Sequence, residues 1–286
     1  MKQILLLLTA FFISCTVSVP HNAPVTTIAK GVDILQQDYE ISKGGERLPT
    51  KLFIFDVTLS NRISLKATTA DDSNTAICSS HERNTAIAPI SKQLEIMQRN
   101  NKQIKVLGGV NSDFFHIKSS NMICGVMYRN GECLKGSYDD QSTIFALLKN
   151  GTAVCVTSAE YEAMDKSLIL EAVSGRQMLV NDNVAQSSES KTFHPRTAVG
   201  VTKDGKRVFI LVADGRRKGY SNGLSYADMV TIFKKLGAYD ALNLDGGGSS
   251  CFSINAGRGK FAPLNRPSDK SGERAVPNGI AVIYCR

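Results

Sequence analysis

The chain has 286 residues, 42% hydrophobic and 21% charged, a balance that excludes a disordered or low-complexity protein and suits one large domain or two small ones. Its 34 basic and 26 acidic residues leave a formal charge of +8, which favours anionic partners. No basic block interleaves with aromatics and tryptophan is absent, so the expected partners are anionic glycans or sugar phosphates, with no nucleic acid among them.

Residues 1–15 read as a signal peptide: Met1-Lys2-Gln3 and then an apolar run from Ile4 to Ile13. The run is shorter than the roughly 20 residues that span a bilayer. Cys15 follows Phe12-Ile13-Ser14, a pattern similar to the lipobox of bacterial lipoproteins. Cleavage there would give a lipid anchor on Cys15, whereas a cut after Ser18 would discard that residue. The expectation is an exported protein of a bacterial cell envelope, lipid-anchored or else periplasmic or secreted. Residues 16–30, with Pro20, Asn22 and Pro24, read as a tether, and no linker divides residues 31–286. Export leaves Cys78, Cys124, Cys133, Cys155, Cys251 and Cys285 in an oxidising setting, where disulfides are allowed. Cys124 and Cys133 flank a turn and are the first pair to test, against the competing reading of buried free thiols. Neither a CxxC motif nor a Cys/His cluster at zinc spacing occurs.

The domain reads mainly as strands. Leu52 to Leu59 and Ile63 to Ala67 flank Ser60-Asn61-Arg62 as a candidate hairpin. Asn130-Gly131, Asn150-Gly151 and Asp204-Gly205 each lie between apolar strands, the preferred chemistry of a type I′ hairpin turn. Helical spacing marks two segments. Ile90, Leu94 and Met97 define one near Ile90 to Asn101; Met229, Phe233 and Leu236 define another near Ser225 to Leu236. Ser225 with Asp228 suits a capping box and Gly237 a C-terminal stop. The predicted fold class is α+β: a largely antiparallel or mixed β-sheet with a few packed helices, in a single domain.

Four polar clusters end or open these strands: Asn111, Asp113 and His116; His194-Pro195-Arg196-Thr197; Asp214-Gly215-Arg216-Arg217; and Asn243-Leu244-Asp245-Gly246-Gly247-Gly248-Ser249-Ser250. Singly, each suits a turn, a strand-end cap, a surface arginine or a bystander histidine. The hairpin at Asp204-Gly205 returns its second strand to the start of its first, so Arg196 and Asp214 to Arg216 belong at one end of the sheet. In the last cluster a carboxylate precedes three residues that leave the backbone bare, which suits an anion beside an acid or a turn that needs glycine.

Together these segments resemble the phosphodiester glycosidase family. The matching pieces are Asn111 to Phe115, Pro195 to Gly200, Asp214-Gly215-Arg216, Gly223-Leu224-Ser225, Asn243 to Ser250 and Val276 to Val282, and the likeness is strongest over 85–284. The resemblance implies hydrolysis of a sugar 1-phosphodiester, of the N-acetylglucosamine 1-phosphodiester kind, to free sugar and a phosphomonoester. Asp245 is the first candidate for the base or nucleophile and Asp214 the second. Arg196, Arg216 and the amides of Gly246, Gly247 and Gly248, with Ser249, are candidates for the phosphate. Asn111 and Asn243 are candidates for sugar hydroxyls or an acetamido group. Asp113 departs from the family's usual Asn-Gly-Gly-Phe-Phe, and is counted among the substrate-binding candidates without a family role. No metal is demanded; a divalent cation on Asp245 and Asp214 would be calcium or magnesium rather than zinc. The alternatives are a non-catalytic phosphoglycan- or glycan-binding envelope lipoprotein and a purely structural envelope protein.

Overall fold

The structure is a computed structural model that describes residues 25–43, 45–74, 85–139, 141–186 and 192–286. The expected signal peptide, Cys15, most of the tether and Cys78 lie outside the described residues. Strands follow in chain order as β1 Val25–Ala29, β2 Val32–Lys43, β3 Glu46–Thr58, β4 Ile63–Thr69, β5 Ile104–Asn111, β6 Met127–Arg129, β7 Glu132–Lys135, β8 Ser142–Leu148 and β9 Ala153–Thr157. They continue as β10 Ile169–Asn181, β11 Val184–Ala185, β12 Arg196–Val201, β13 Arg207–Ala213, β14 Asp240–Leu244, β15 Phe252–Gly257, β16 Lys260–Pro263 and β17 Asn278–Cys285. The α-helices are α1 Ile90–Asn100, α2 Ser158–Ala163 and α3 Tyr226–Leu236.

Two antiparallel sheets face each other. The larger has twelve strands, with the order β1-β2-β3-β13-β12-β14-β10-β6-β7 and with β8, β9 and β11 branching from it; the smaller runs β16-β15-β5-β17-β4. Phe55, Val199, Ile210, Leu242 and Leu244 of the larger sheet and Val110, Phe252, Ile280 and Val282 of the smaller fill the space between them. Phe55 and Phe252 stack across the interface at 4.0 Å.

Each outer face carries a helix. β13 is apolar on both faces because it lies in the middle of three layers: Val208, Ile210 and Val212 join the inner core, while Phe209, Leu211 and Ala213 pack under Met229, Ile232 and Phe233 of α3. α1 covers the smaller sheet with Ile90, Leu94 and Met97. α3 starts as its sequence dictates: Ser225 Oγ accepts from Asp228 N at 3.2 Å, and Asp228 Oδ2 accepts from Ser225 N at 2.9 Å. Gly237 ends it at φ 84°. The protein is thus richer in strand than an α+β assignment implies, and its sheets are antiparallel throughout the described pairings.

The turns at Asn130-Gly131, Asn150-Gly151 and Asp204-Gly205 form hairpins. Ser60-Asn61-Arg62 does not. β3 pairs with β2 and β13 in the larger sheet, but β4 pairs with β17 in the smaller, so this bend carries the chain from one sheet to the other. Val25–Ala29, inside the span read as a tether, is a strand paired with β2. Cys124, Cys133, Cys155, Cys251 and Cys285 are free thiols, so the first disulfide pair to test is not formed. No helix among the described residues is long and apolar enough to cross a membrane.

Candidate active site

β12 and β14 pair with Thr197 opposite Leu244, so one step further Arg196 faces Asp245. The pleat decides which side chains share a face. Leu242 and Leu244 enter the inner core while Ala241 lies under α3, which sends Asn243 to the α3 side with Ala198 and Arg196. Arg176 on β10 is the cross-strand neighbour of Asn243. Just after Arg176, Gln177 takes φ 61° and the register slips, a bulge that re-aims the strand.

Asp245 is held by its backbone. Its N–H donates to Ser112 O at 2.7 Å, and its carbonyl accepts from Asn111 Nδ2 at 2.6 Å. The residue as a whole is half-buried, and its carboxyl is turned into the protein. Burial pushes it up to about 6, against the Ser249 hydroxyl, the Arg274 guanidinium, the Gly246 amide and Arg176, which pull it down. An acid that titrates there is ionised at neutral pH and still basic enough to take a proton.

Four arginines stand around this carboxyl or beside it, in different states. Arg196 donates to the carbonyls of Leu224 at 3.1 Å and Thr192 at 3.3 Å, and its guanidinium lies 4.3 Å from the centre of the Tyr226 ring. Arg274 grips Asp269 through two bonds of 2.7 and 3.0 Å and reaches Ser249 Oγ at 3.2 Å. Arg176 pairs with Asp139 at 2.9 Å and lies 5.0 Å from the ring centre of Phe114. Arg216, at the end of β13 with φ 59°, donates to no acceptor among the described residues. Its guanidinium lies against Gly247, where a Cβ would come within 2.9 Å of Nη2. His194 sits in the same basic surroundings: burial lowers its pKa first, then Arg196 and Arg216, so it favours the neutral form.

The three glycines have separate reasons. Gly246 lies against Pro195, whose carbonyl would be 2.7 Å from a Cβ. Gly247 takes φ 62°, which favours glycine. Gly248 is packed under the Arg274–Asp269 pair, which a Cβ would overlap. Nor do the amides form an open row of donors. Those of Gly247, Ser249 and Ser250 donate to Pro195 O, Gly246 O and Gly247 O. Of the three glycine amides expected to receive a phosphate, that of Gly247 is committed to Pro195 O and that of Gly246 to the Asp245 carboxyl; beside the turn, Arg216 is a cation without an acceptor among the described residues.

Three other candidates are turned inward. Asp214 is 2% exposed, and its oxygens accept from Asn265 Nδ2, Arg266 N and Tyr220 Oη at 2.9–3.1 Å. Burial raises its pKa, against these donors. It braces the 265–266 segment instead of facing the cleft as a second acid or base. Asn111 is 1% exposed and spends its carboxamide inside the protein, on Asp245 O, on Thr197 Oγ1 at 2.8 Å and on Cys251 N at 3.1 Å. Asp113 is also enclosed, beneath Phe114. By contrast, both polar atoms of the Asn243 carboxamide, Nε of Arg176 and Nδ1 of His194 are buried without a partner, a concentration that native interiors avoid away from functional sites. Among the described residues no three His, Cys, Asp or Glu side chains converge as metal ligands. His116 is exposed on the loop after β5, away from these contacts.

Sequence reasoning missed Arg176 and Arg274. Arg176 had a signal: Ser174-Gly175-Arg176-Gln177 interrupts an otherwise apolar strand. Arg274 had none, since it sits in an aperiodic loop.

The β-sandwich thus gathers the raised carboxyl of Asp245 and several arginines at its strand ends. The chain belongs to the phosphodiester glycosidase family, whose model matches residues 105–283. It is 24% identical over 196 residues to the mouse N-acetylglucosamine-1-phosphodiester alpha-N-acetylglucosaminidase, covering 61% of this chain and 36% of that protein. It is 37% identical over 112 residues to an uncharacterized SPbeta prophage-derived protein of Bacillus subtilis, covering 37% of this chain and 16% of that one. The chain thus spans about a third or less of the length of these curated relatives. In fold it is similar to the catalytic domain of the zebrafish N-acetylglucosamine-1-phosphodiester alpha-N-acetylglucosaminidase, with a TM-score of 0.62 and 18% identity, covering 92% of this chain and 85% of that domain. A hypothetical protein from Synechocystis superposes with a TM-score of 0.60 at 14% identity, covering 93% of this chain and 64% of that one.

Proposed function

We propose that this protein hydrolyses a sugar 1-phosphodiester, of the N-acetylglucosamine 1-phosphodiester kind, to the free sugar and a phosphomonoester. The observation that carries the reading is that Asp245, a carboxyl raised to about 6, stands on the same turn as Gly247, against which lies Arg216, a guanidinium with no partner of its own among the described residues. Cleavage of the anomeric C–O bond leaves its electron pair on the phosphate, which already departs well without a strong general acid. The need is to stabilise departing negative charge, and Arg216 supplies a forked donor for it. Asp245 in its ionised form acts at the anomeric centre, as base toward water or as nucleophile. The anomer released, followed by NMR, separates these two roles. Arg176, above Phe114, faces the sugar, with Asn243 behind it as its buried cross-strand neighbour.

The same reading places the protein outside the cytoplasm, in a bacterial envelope, where residues 1–15 direct export and Cys15 takes a lipid. Metabolic labelling with a fatty acid, lost on Cys15→Ala, tests the anchor. The chemistry is tested with Asp245→Asn and a panel of N-acetylglucosamine 1-phosphodiesters read by free sugar. The variant should fold with a melting temperature no lower than that of the wild type and lose at least about a thousandfold in kcat. Undiminished turnover would remove Asp245 from the mechanism; tight retention of the diesters by the wild type without turnover would turn the reading to a binding protein.

A further inference from the structure

Asp113 lies two residues past the end of β5 and is 2% exposed, and the chemistry above leaves it unused. Its Oδ2 accepts from three donors: Ser112 Oγ at 3.1 Å, Ser174 N at 3.1 Å and Asn278 Nδ2 at 2.8 Å. Its Oδ1 is buried and receives none. The donors come from both sheets, since Ser174 belongs to β10 of the larger and Asn278 opens β17 of the smaller. One carboxyl therefore ties the sheets together beneath the cleft. Two short links lead from it to the reacting groups. The carbonyl of adjacent Ser112 accepts the Asp245 N–H at 2.7 Å, and Ser174 precedes Arg176 by two residues on the same strand.

We propose that Asp113 is a positioning residue for Asp245: as a carboxylate it holds the junction of the two sheets at the spacing that sets Asp245 and Arg176 against one substrate, and protonation loosens that junction. The proposal rests on the reading of Asp245 given above. A carboxylate accepts three hydrogen bonds as charge-assisted bonds, and the neutral acid accepts them about half as strongly while adding an O–H that must find an acceptor. The charged and titratable groups around it are few. Lys135, at the end of β7, has its ammonium on Ser137 O and favours the ionised form. The Cys124 thiol precedes β6, and Asp139, paired with Arg176, follows β7. From β17 comes the neutral Asn278, and from β10 a backbone amide. Burial outweighs all of these and pushes Asp113 up to about 7, so the junction titrates near neutrality.

Asp113→Asn keeps the volume and removes the charge. At pH 8 it should lower kcat by about tenfold to a hundredfold, the scale of a small misplacement, with KM changed less than about threefold. The limb of the pH profile near 7 should vanish, leaving the limb near 6. Lys135→Met, which removes the cation, should move the first limb to higher pH. A side chain that merely stabilises the fold would lower the melting temperature and leave the profile in place. Wild-type NMR supplies a readout independent of any substrate. The Asp113 carboxyl carbon should titrate near 7, and the Ser174 and Asp245 amides should follow the same midpoint. This co-titration would uphold the positioning role even if no sugar phosphodiester were turned over. An Asp113 that titrates below about 5, amides that do not follow it, or an unchanged profile in Lys135→Met would overturn the proposal. If Asp113→Asn does not fold, Lys135→Met and the wild-type titration decide it.

Discussion

Replacing Gly248 with alanine asks one methyl group to occupy space held by an ion pair. The new Cβ would overlap Nη2 of Arg274 and Oδ1 of Asp269, two atoms joined by one of the two bonds of that bidentate pair. Either the pair separates or the turn shifts. A charge-assisted pair of this geometry contributes about 1–2 kcal/mol after allowing for side chains that are 27% and 28% exposed. Overpacking in a closed turn costs about 1–3 kcal/mol. The sum, about 3 kcal/mol, corresponds to a fall in Tm of roughly 6–12 °C for a chain of this size. Thermal unfolding measures it, with Gly136→Ala as control, since a Cβ there meets only Cys133 Sγ at 3.4 Å. In an Arg274→Ala background the cost of Gly248→Ala should shrink to about 1 kcal/mol, because one obstacle is gone and Asp269, no longer held by its partner, can turn aside. A Gly248→Ala protein within about 0.5 kcal/mol of wild type in both backgrounds would refute the idea that Arg274 and Asp269 dictate glycine there.

Arg216→Ala and Arg196→Ala should separate binding from stability. The first should lower kcat/KM by about a hundredfold with Tm unchanged, and the second should lower Tm by several degrees because two carbonyls and the Tyr226 face lose their partner. Asp245 should set an acidic limb near pH 6 in kcat/KM, the rate falling as its carboxylate is protonated. The sign for stability is opposite. A carboxyl raised from 3.8 to about 6 contributes stability below its unfolded pKa that is lost as pH rises through the folded one. Asp245→Asn should therefore gain on the wild type above pH 6 in chemical denaturation. Asp214→Ala should cost about 3 kcal/mol or more, since it leaves Asn265 Nδ2 and Arg266 N without their acceptor; a variant that keeps its stability and loses turnover would return Asp214 to the chemistry.

What the sequence disclosed was local. Hairpin turns and helix caps are set by neighbouring residues, so Asn130-Gly131, Asn150-Gly151, Asp204-Gly205 and Ser225 announce the elements around them, although only Asn130-Gly131 takes the positive φ at both residues that the type I′ form requires. The bend at Ser60-Asn61-Arg62 misleads because the choice of sheet is made by β17, far away in the chain. Strands as short as β6 and β11 show no periodicity, which is why the β content was underestimated. At the site, the strand-end clusters are legible as segments, and the register of β12 against β13 and β14 brings three of them together. Their individual roles were harder to see. Asp214 and Asn111 look in sequence like groups that face a ligand, and only the partners brought by Asn265, Arg266, Thr197 and Cys251 reveal that they are already occupied.

The place of β17 has a consequence for how the molecule is made. In the smaller sheet β4 has β17 as its one neighbour, and β5 reaches β4 only through it. Until this strand is available, β4 and one edge of β5 have no ladder to join, and Asn278 cannot reach Asp113. Assembly of the sandwich must wait for the last strand, so folding is dominated by long-range pairing and should be slow compared with a helical protein of this length.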